Sequence, residues 1–162
     1  MTLARRRGGM VILVTLLVSL LLTLQPLPEW ARPFRPQWYT LVLIYWVMAA
    51  PERVGVGSAW LLGILVDVLT GTLLGQHALG LSVITFLVLK VYRQIRLFPL
   101  WQQSIAIFVL LLLERLLALW IIGATHQPLP DLRYWGAPAI GMLLWPWAFI
   151  VLRDLRRRFQ VS

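Results

Sequence analysis

Residues 54–74 read VGVGSAWLLGILVDVLTGTLL, an apolar run whose single ionisable side chain is Asp67. Small residues and Asp67 recur at steps of four: Gly55, Ala59, Gly63, Asp67, Gly71, Gly75. On an α-helix that spacing makes one slowly drifting stripe. An ionised carboxylate exposed to lipid costs roughly 2.5–3.5 kcal/mol on insertion scales. Small residues cannot shield it, but they let another helix approach closely. The pattern therefore predicts a membrane helix that presses its Asp67 face against protein.

Working outward, the rest of the chain has the same character. Of 162 residues, 60% are hydrophobic and 13% charged, against roughly half and a quarter in soluble domains. The apolar residues fall into six blocks, 9–24, 37–50, 54–74, 77–91, 100–122 and 134–152. Blocks near 20 residues read as membrane helices, and the second and fourth are short for a ~30 Å core. The expectation is an all-α fold: one polytopic membrane domain, 1–162, with six transmembrane helices. Pro51-Glu52-Arg53 predicts a tight hairpin between the second and third. Pro26, Pro28, Pro33 and Pro36 punctuate the first outer loop, and Pro128 and Pro130 the last.

Arg5-Arg7 followed by Met10–Leu24 has the outline of a signal peptide, but no small-x-small cleavage pattern follows, so it reads as an uncleaved first helix. The net charge of +9 is clustered at the ends of apolar blocks. That placement suits orientation and anionic lipid headgroups, and argues against nucleic acid. With both termini cytoplasmic, the inner segments hold eleven basic residues: Arg5, Arg6, Arg7, Arg53, Lys90, Arg93, Arg96, Arg153, Arg156, Arg157 and Arg158. The outer loops hold Arg32, Arg35 and Arg133. This asymmetry predicts cytoplasmic ends, with Arg153, Arg156, Arg157 and Arg158 as a basic anchor on the headgroups. Trp30, Trp38, Tyr39, Trp101, Trp120, Tyr134 and Trp135 suit interfacial belts. Pro146, between Trp145 and Trp147, predicts a kink in the last helix.

Three ionisable residues are expected at a shared depth: Asp67, Glu114 and Arg115. Each lies 13 to 15 residues, about 20 Å, from the predicted cytoplasmic helix end. Glu114 and Arg115 are neighbours on one helix and point about 100° apart. Arg115 is the partner expected for Asp67 across helices, leaving Glu114 to a neighbouring helix, water or another protein. A structural ion pair, a partner contact and a proton or substrate path all remain open. His77, beside Gln76 at the mouth of the fourth helix, reads as an interfacial capping residue.

Catalytic and metal signatures are missing. There is no HExxH, GxSxG or Walker loop. No cysteine is present to supply a disulfide, a thiol nucleophile or a ligand, and His77 and His126 lie apart. Neither an enzyme, a cofactor nor a metal is expected.

Longer stretches carry a resemblance. Arg35-Pro36-Gln37-Trp38, Tyr45-Trp46 and Pro51-Glu52-Arg53-Val54-Gly55-Val56-Gly57 resemble the second helix and hairpin of the MreD family of rod shape-determining membrane proteins. Gly63 to Gly75 resembles that family's central Gly…Asp…Gly…Leu-Gly motif, and Leu100-Trp101-Gln102-Gln103 and Leu144-Trp145-Pro146-Trp147 its later landmarks. The order and spacing cover nearly the whole chain. The Glu114-Arg115 pair falls outside the match, so no role for Arg115 comes from it.

The resemblance implies a scaffold or regulator of the inner-membrane elongasome. Its partners would be an MreC-like protein directly, RodA and its penicillin-binding transpeptidase, and MreB indirectly. It also implies a fold similar to the six-helix substrate-binding components of energy-coupling-factor vitamin transporters. The expected partner face is the small-residue ladder around Asp67. A vitamin-type binding subunit of a transporter is the alternative reading, with Asp67, Glu114 or His77 lining an outer pocket. An intramembrane hydrolase using the deep carboxylates is a third.

Overall fold

A computed structural model describes residues 2–24, 28, 38–51, 54–71, 74–124 and 136–158. Outside them lie Glu52 and Arg53 of the hairpin turn, Arg32, Arg35 and Arg133, Trp30, Tyr134, Trp135 and His126. Pro26, Pro33, Pro36, Pro128 and Pro130 also lie outside the described residues. The described chain forms α1 (Thr2–Leu24), α2 (Trp38–Ala49), α3 (Val56–Thr70), α4 (Gln76–Leu97), α5 (Leu100–Ala124) and α6 (Gly136–Arg158).

Gln76–Leu97, Leu100–Ala124 and Pro138–Arg158 are long and apolar enough to cross a membrane. Gly9–Leu24, Trp38–Ala49 and Val56–Thr70 are shorter apolar helices. At ~1.5 Å per residue, the 12 residues of α2 rise about 18 Å and the 15 of α3 about 22 Å.

The apolar blocks mark the helices, while local chemistry sets their ends. α3 stops four residues before the expected boundary because Gly71 takes the left-handed conformation (φ +73°) and donates its N–H to the Asp67 carbonyl. α4 runs six residues past the expected 91, through Arg93 and Arg96, to Leu97. It ends where Phe98 turns extended ahead of Pro99. The Pro99 carbonyl then accepts N–H bonds from Gln102 and Gln103, each 3.0 Å, and starts α5. α6 continues through Pro146.

α2 lies at the centre. Its residues Tyr39 through Met48 are all buried, as fits a helix apolar on every side. α1, α4 and α6 pack around it. Polar ties join the layers. Trp46 Nε1 donates to Thr15 Oγ1 of α1 (2.8 Å), and Trp145 Nε1 of α6 donates to Gln103 Oε1 of α5 (3.2 Å). Arg96 of α4 donates from Nε (2.7 Å) and Nη2 to the Met48 carbonyl at the end of α2. Tyr39, expected in the aromatic belt, is instead buried with its ring edge-on to His77. Trp101 and Trp120 are exposed.

α3 and α4 form the most extensive helix pair. Ala59, Gly63 and Asp67 face inward, and a Cβ built on Gly63 would stand 2.2 Å from the Ala78 Cα. The ladder thus brings α4 of the same chain to backbone contact. Gly63→Ala should force the hairpin apart at a cost of roughly 1–3 kcal/mol. Gly57→Ala, where a Cβ meets nothing within 4 Å, should be neutral or slightly stabilising. Thermal unfolding of the purified variants in detergent checks the contrast, and equal midpoints would contradict the packing.

Candidate functional site

The six-residue stripe read from the sequence is cut at both ends. Gly55 precedes α3 as its N-cap, and Gly71 and Gly75 both have positive φ, +73° and +100°. Neither position suits a residue with a Cβ. These two glycines turn the chain back, so α4 starts beside the last turn of α3. Asp67 sits in that turn, 1% exposed.

The turn aims the start of α4 at the Asp67 carboxylate. Gly75 N–H donates to Oδ2 (2.9 Å) and His77 N–H to Oδ1 (2.9 Å). His77 Nδ1 lies 2.7 Å from the same Oδ1. An ionised carboxylate only accepts, so Nδ1 carries the hydrogen. The first N–H groups of any α-helix lack partners within the helix. Asp67 supplies acceptors to that end, where the macrodipole also favours negative charge. Bonds of this charged kind contribute about 1.5–3 kcal/mol each. The charge that looked bare in the sequence is the cap of the next helix.

This arrangement gives Asp67 partners that the expected pairing with Arg115 did not include. His77, ten residues away across the turn, places its ring nitrogen against the Asp67 carboxylate. The signal lay in the sequence: Gly71, Gly75 and His77 together mark a capped turn, whereas counting by fours alone ran the stripe through it.

Glu114 and Arg115 do approach the same place. Tyr39, Gln76, His77, Glu114, Arg115 and Ala118 line a cavity of about 140 Å³. Glu114 is 3% exposed and accepts from Thr40 Oγ1 at 3.0 Å, tying α5 to α2. Gly80 of α4 makes room for it, since a Cβ there would stand 3.3 Å from Glu114 Cγ. So Asp67, His77, Glu114 and Arg115 gather at one end of the bundle, with His77 as the link.

Ligand pockets usually enclose ~300–1,000 Å³. As bounded by the described residues, this cavity is well below that range and has room for a few waters. No group of three metal-ligating side chains occurs among the described residues.

The other candidate residues lie elsewhere. Pro146 is within α6, flanked by buried Trp145 and exposed Trp147, which meets Trp38 edge to face with ring centres 6.2 Å apart. Arg153, Arg156, Arg157 and Arg158 occupy the far end of α6. Arg156 shares a cavity there with Arg96 and Met48, so the basic ends of α4 and α6 meet the end of α2.

Asp67→Asn should lower stability by about 1–3 kcal/mol, because an amide presents a donor to N–H groups that need an acceptor. Reversing both charges, Asp67→Arg with Arg115→Asp, should not restore it, since arginine cannot accept. Unfolding midpoints of the purified variants in detergent test both statements; recovery in the charge-reversed pair would contradict the capping geometry.

The chain is similar to known proteins along nearly its whole length. The family described as rod shape-determining protein MreD matches residues 4–155. The "Rod shape-determining protein MreD" of Haemophilus influenzae is 36% identical over 154 residues, covering 93% of each chain. No solved structure matches.

Proposed function

The chain belongs to the MreD family of rod shape-determining proteins, and on that premise we propose that it is a non-catalytic membrane scaffold of the cell-elongation machinery. In this reading it supports rod shape and lateral peptidoglycan synthesis. It does so by binding an MreC-like partner directly, and through it RodA and its penicillin-binding transpeptidase, with MreB linked indirectly. The chain lies in the inner membrane as six spans with both termini cytoplasmic. The basic asymmetry of the sequence supports that orientation. So does the clustering of Arg96 with the arginines of α6 at one end of the bundle.

One observation carries the scaffold reading: the deep polar groups hold helix to helix. Asp67 caps α4, Glu114 accepts from Thr40, and Gln103 joins α5 to α6 and to the α4 end. Such ties stiffen a bundle, because lipid gives helices no hydrophobic reason to associate.

We propose a partner face from the exposed helix sides. α4 covers Ala59 and Gly63, so we place the partner's membrane helix on the outward sides of α3 and α1. Leu61, Val68, Leu13 and Leu17 are exposed there. A groove of about 360 Å³ runs between these helices past Gly9 and Ser58, small residues that permit close approach.

Depletion of the protein in its own host should turn rods into spheres, scored by microscopy and by the pattern of new wall insertion. Persistent rods with normal insertion would overturn the reading. Photo-crosslinkers at Leu61, Val68, Leu13 and Leu17 should capture an MreC-like partner, whereas one at Ala59 should report only its own chain. Failure of every outward position to capture it would overturn direct binding.

A further inference from the structure

A second cavity lies at the opposite, basic end of the bundle. It has a volume of about 210 Å³ and is lined by Tyr45 and Met48 of α2, Arg96 of α4, Gln103 of α5, and Phe149 and Arg156 of α6. The Gln103 amide in its wall already has partners. Gln103 Nε2 donates to the Ile95 and Phe98 carbonyls, and its oxygen takes the Trp145 indole N–H. Arg96 uses Nε and Nη2 on the single Met48 carbonyl, leaving most of its five N–H donors for something else.

The charge here is unbalanced. Phe149, Arg153 and Arg156 share one face of α6 by their spacing. Arg153 stacks on Phe149, 5.8 Å from guanidinium to ring centre, and its Nε is buried without a hydrogen-bond partner. The acid of this segment, Asp154, is exposed and forms no ion pair among the described residues. Arg156, Arg153 and Arg157 act electrostatically on Tyr45 in the cavity wall against the single acid Asp154. Guanidinium groups gathered over a partly apolar cleft favour an anion that can accept several N–H bonds at once.

We propose that this cavity binds the phosphate of an acidic phospholipid, gripped by Arg96 and Arg156 with Arg153 as the flanking cation. At ~30 Å³ per water the space equals about seven waters, enough for a phosphate and part of its shell. The aromatic and methionine walls suit the junction of headgroup and acyl chain. Basic clefts between membrane helices are a recurrent place for such headgroups. The site requires only that this end of the bundle meets a membrane surface, so it is independent of the partners proposed above.

The test uses the full chain purified in detergent, with native mass spectrometry for retained lipid and thermal unfolding for stabilisation. Phosphatidylglycerol should be retained and should raise the midpoint; phosphatidylcholine and millimolar inorganic phosphate should do neither. Arg156→Gln should weaken phosphatidylglycerol binding by roughly fivefold, and Arg156→Lys should keep most of it. Arg158→Gln, the same charge change on the exposed tail, should leave binding unchanged. Arg153→Gln gives an independent reading should Arg156→Gln be unstable. Equal losses from Arg156→Gln and Arg158→Gln would show diffuse attraction only and overturn the site. Equal retention of phosphatidylcholine, or stabilisation by inorganic phosphate alone, would overturn the assignment to an acidic lipid.

Discussion

A helix needs acceptors for its first N–H groups, and in this bundle a carboxylate from the preceding helix provides them. Asp67 takes the N–H of Gly75 and of His77 and holds the His77 ring. The bond geometry requires the chain to reverse within a few residues, which the positive φ values of Gly71 and Gly75 allow. It also requires the two helices to lie close, which Gly63 against Ala78 allows. Carboxylate, turn and close approach form one device, and each part makes sense only with the others.

From that hairpin the rest of the bundle is tied by isolated polar contacts. His77 and Gln76 border the cavity that Glu114 and Arg115 share, and Glu114 reaches Thr40 of the central helix. Trp46 links that helix to α1, and Arg96 links its far end to α4. A fully apolar helix such as α2 could rotate or slide among apolar neighbours at little energetic cost. A few directional bonds remove that freedom. A rigid core of this kind leaves the outer faces of α1 and α3 available to lipid or to another protein.

The ends of the bundle differ in chemistry. One gathers Asp67, His77, Glu114 and Arg115, where opposite charges and hydrogen-bond donors meet. The other gathers Arg96, Arg153, Arg156, Arg157 and Arg158, where positive charge prevails. The first end is internally satisfied at the carboxylates and holds the helices in register. The second has donors to spare, as an end facing headgroups should.

The sequence by itself determined the all-α class, the six helical segments and the family, because apolar blocks and ordered motifs are local properties of the chain. It also marked Asp67, Glu114 and Gly63 as residues that need protein around them, since burial is too costly for an unpartnered carboxylate and close packing needs a missing side chain. Partner identity was not legible. Steps of four ran the stripe on through Gly71 and Gly75, and no side-chain pattern showed the backbone N–H groups that reach Asp67. Only the tertiary structure decided that the chain turns at those glycines and brings the N-terminus of α4, with His77, to the carboxylate. Periodicity reports which residues share a face. Which donors arrive at that face depends on backbone N–H groups that no side-chain pattern displays, and on a turn whose direction is fixed by packing.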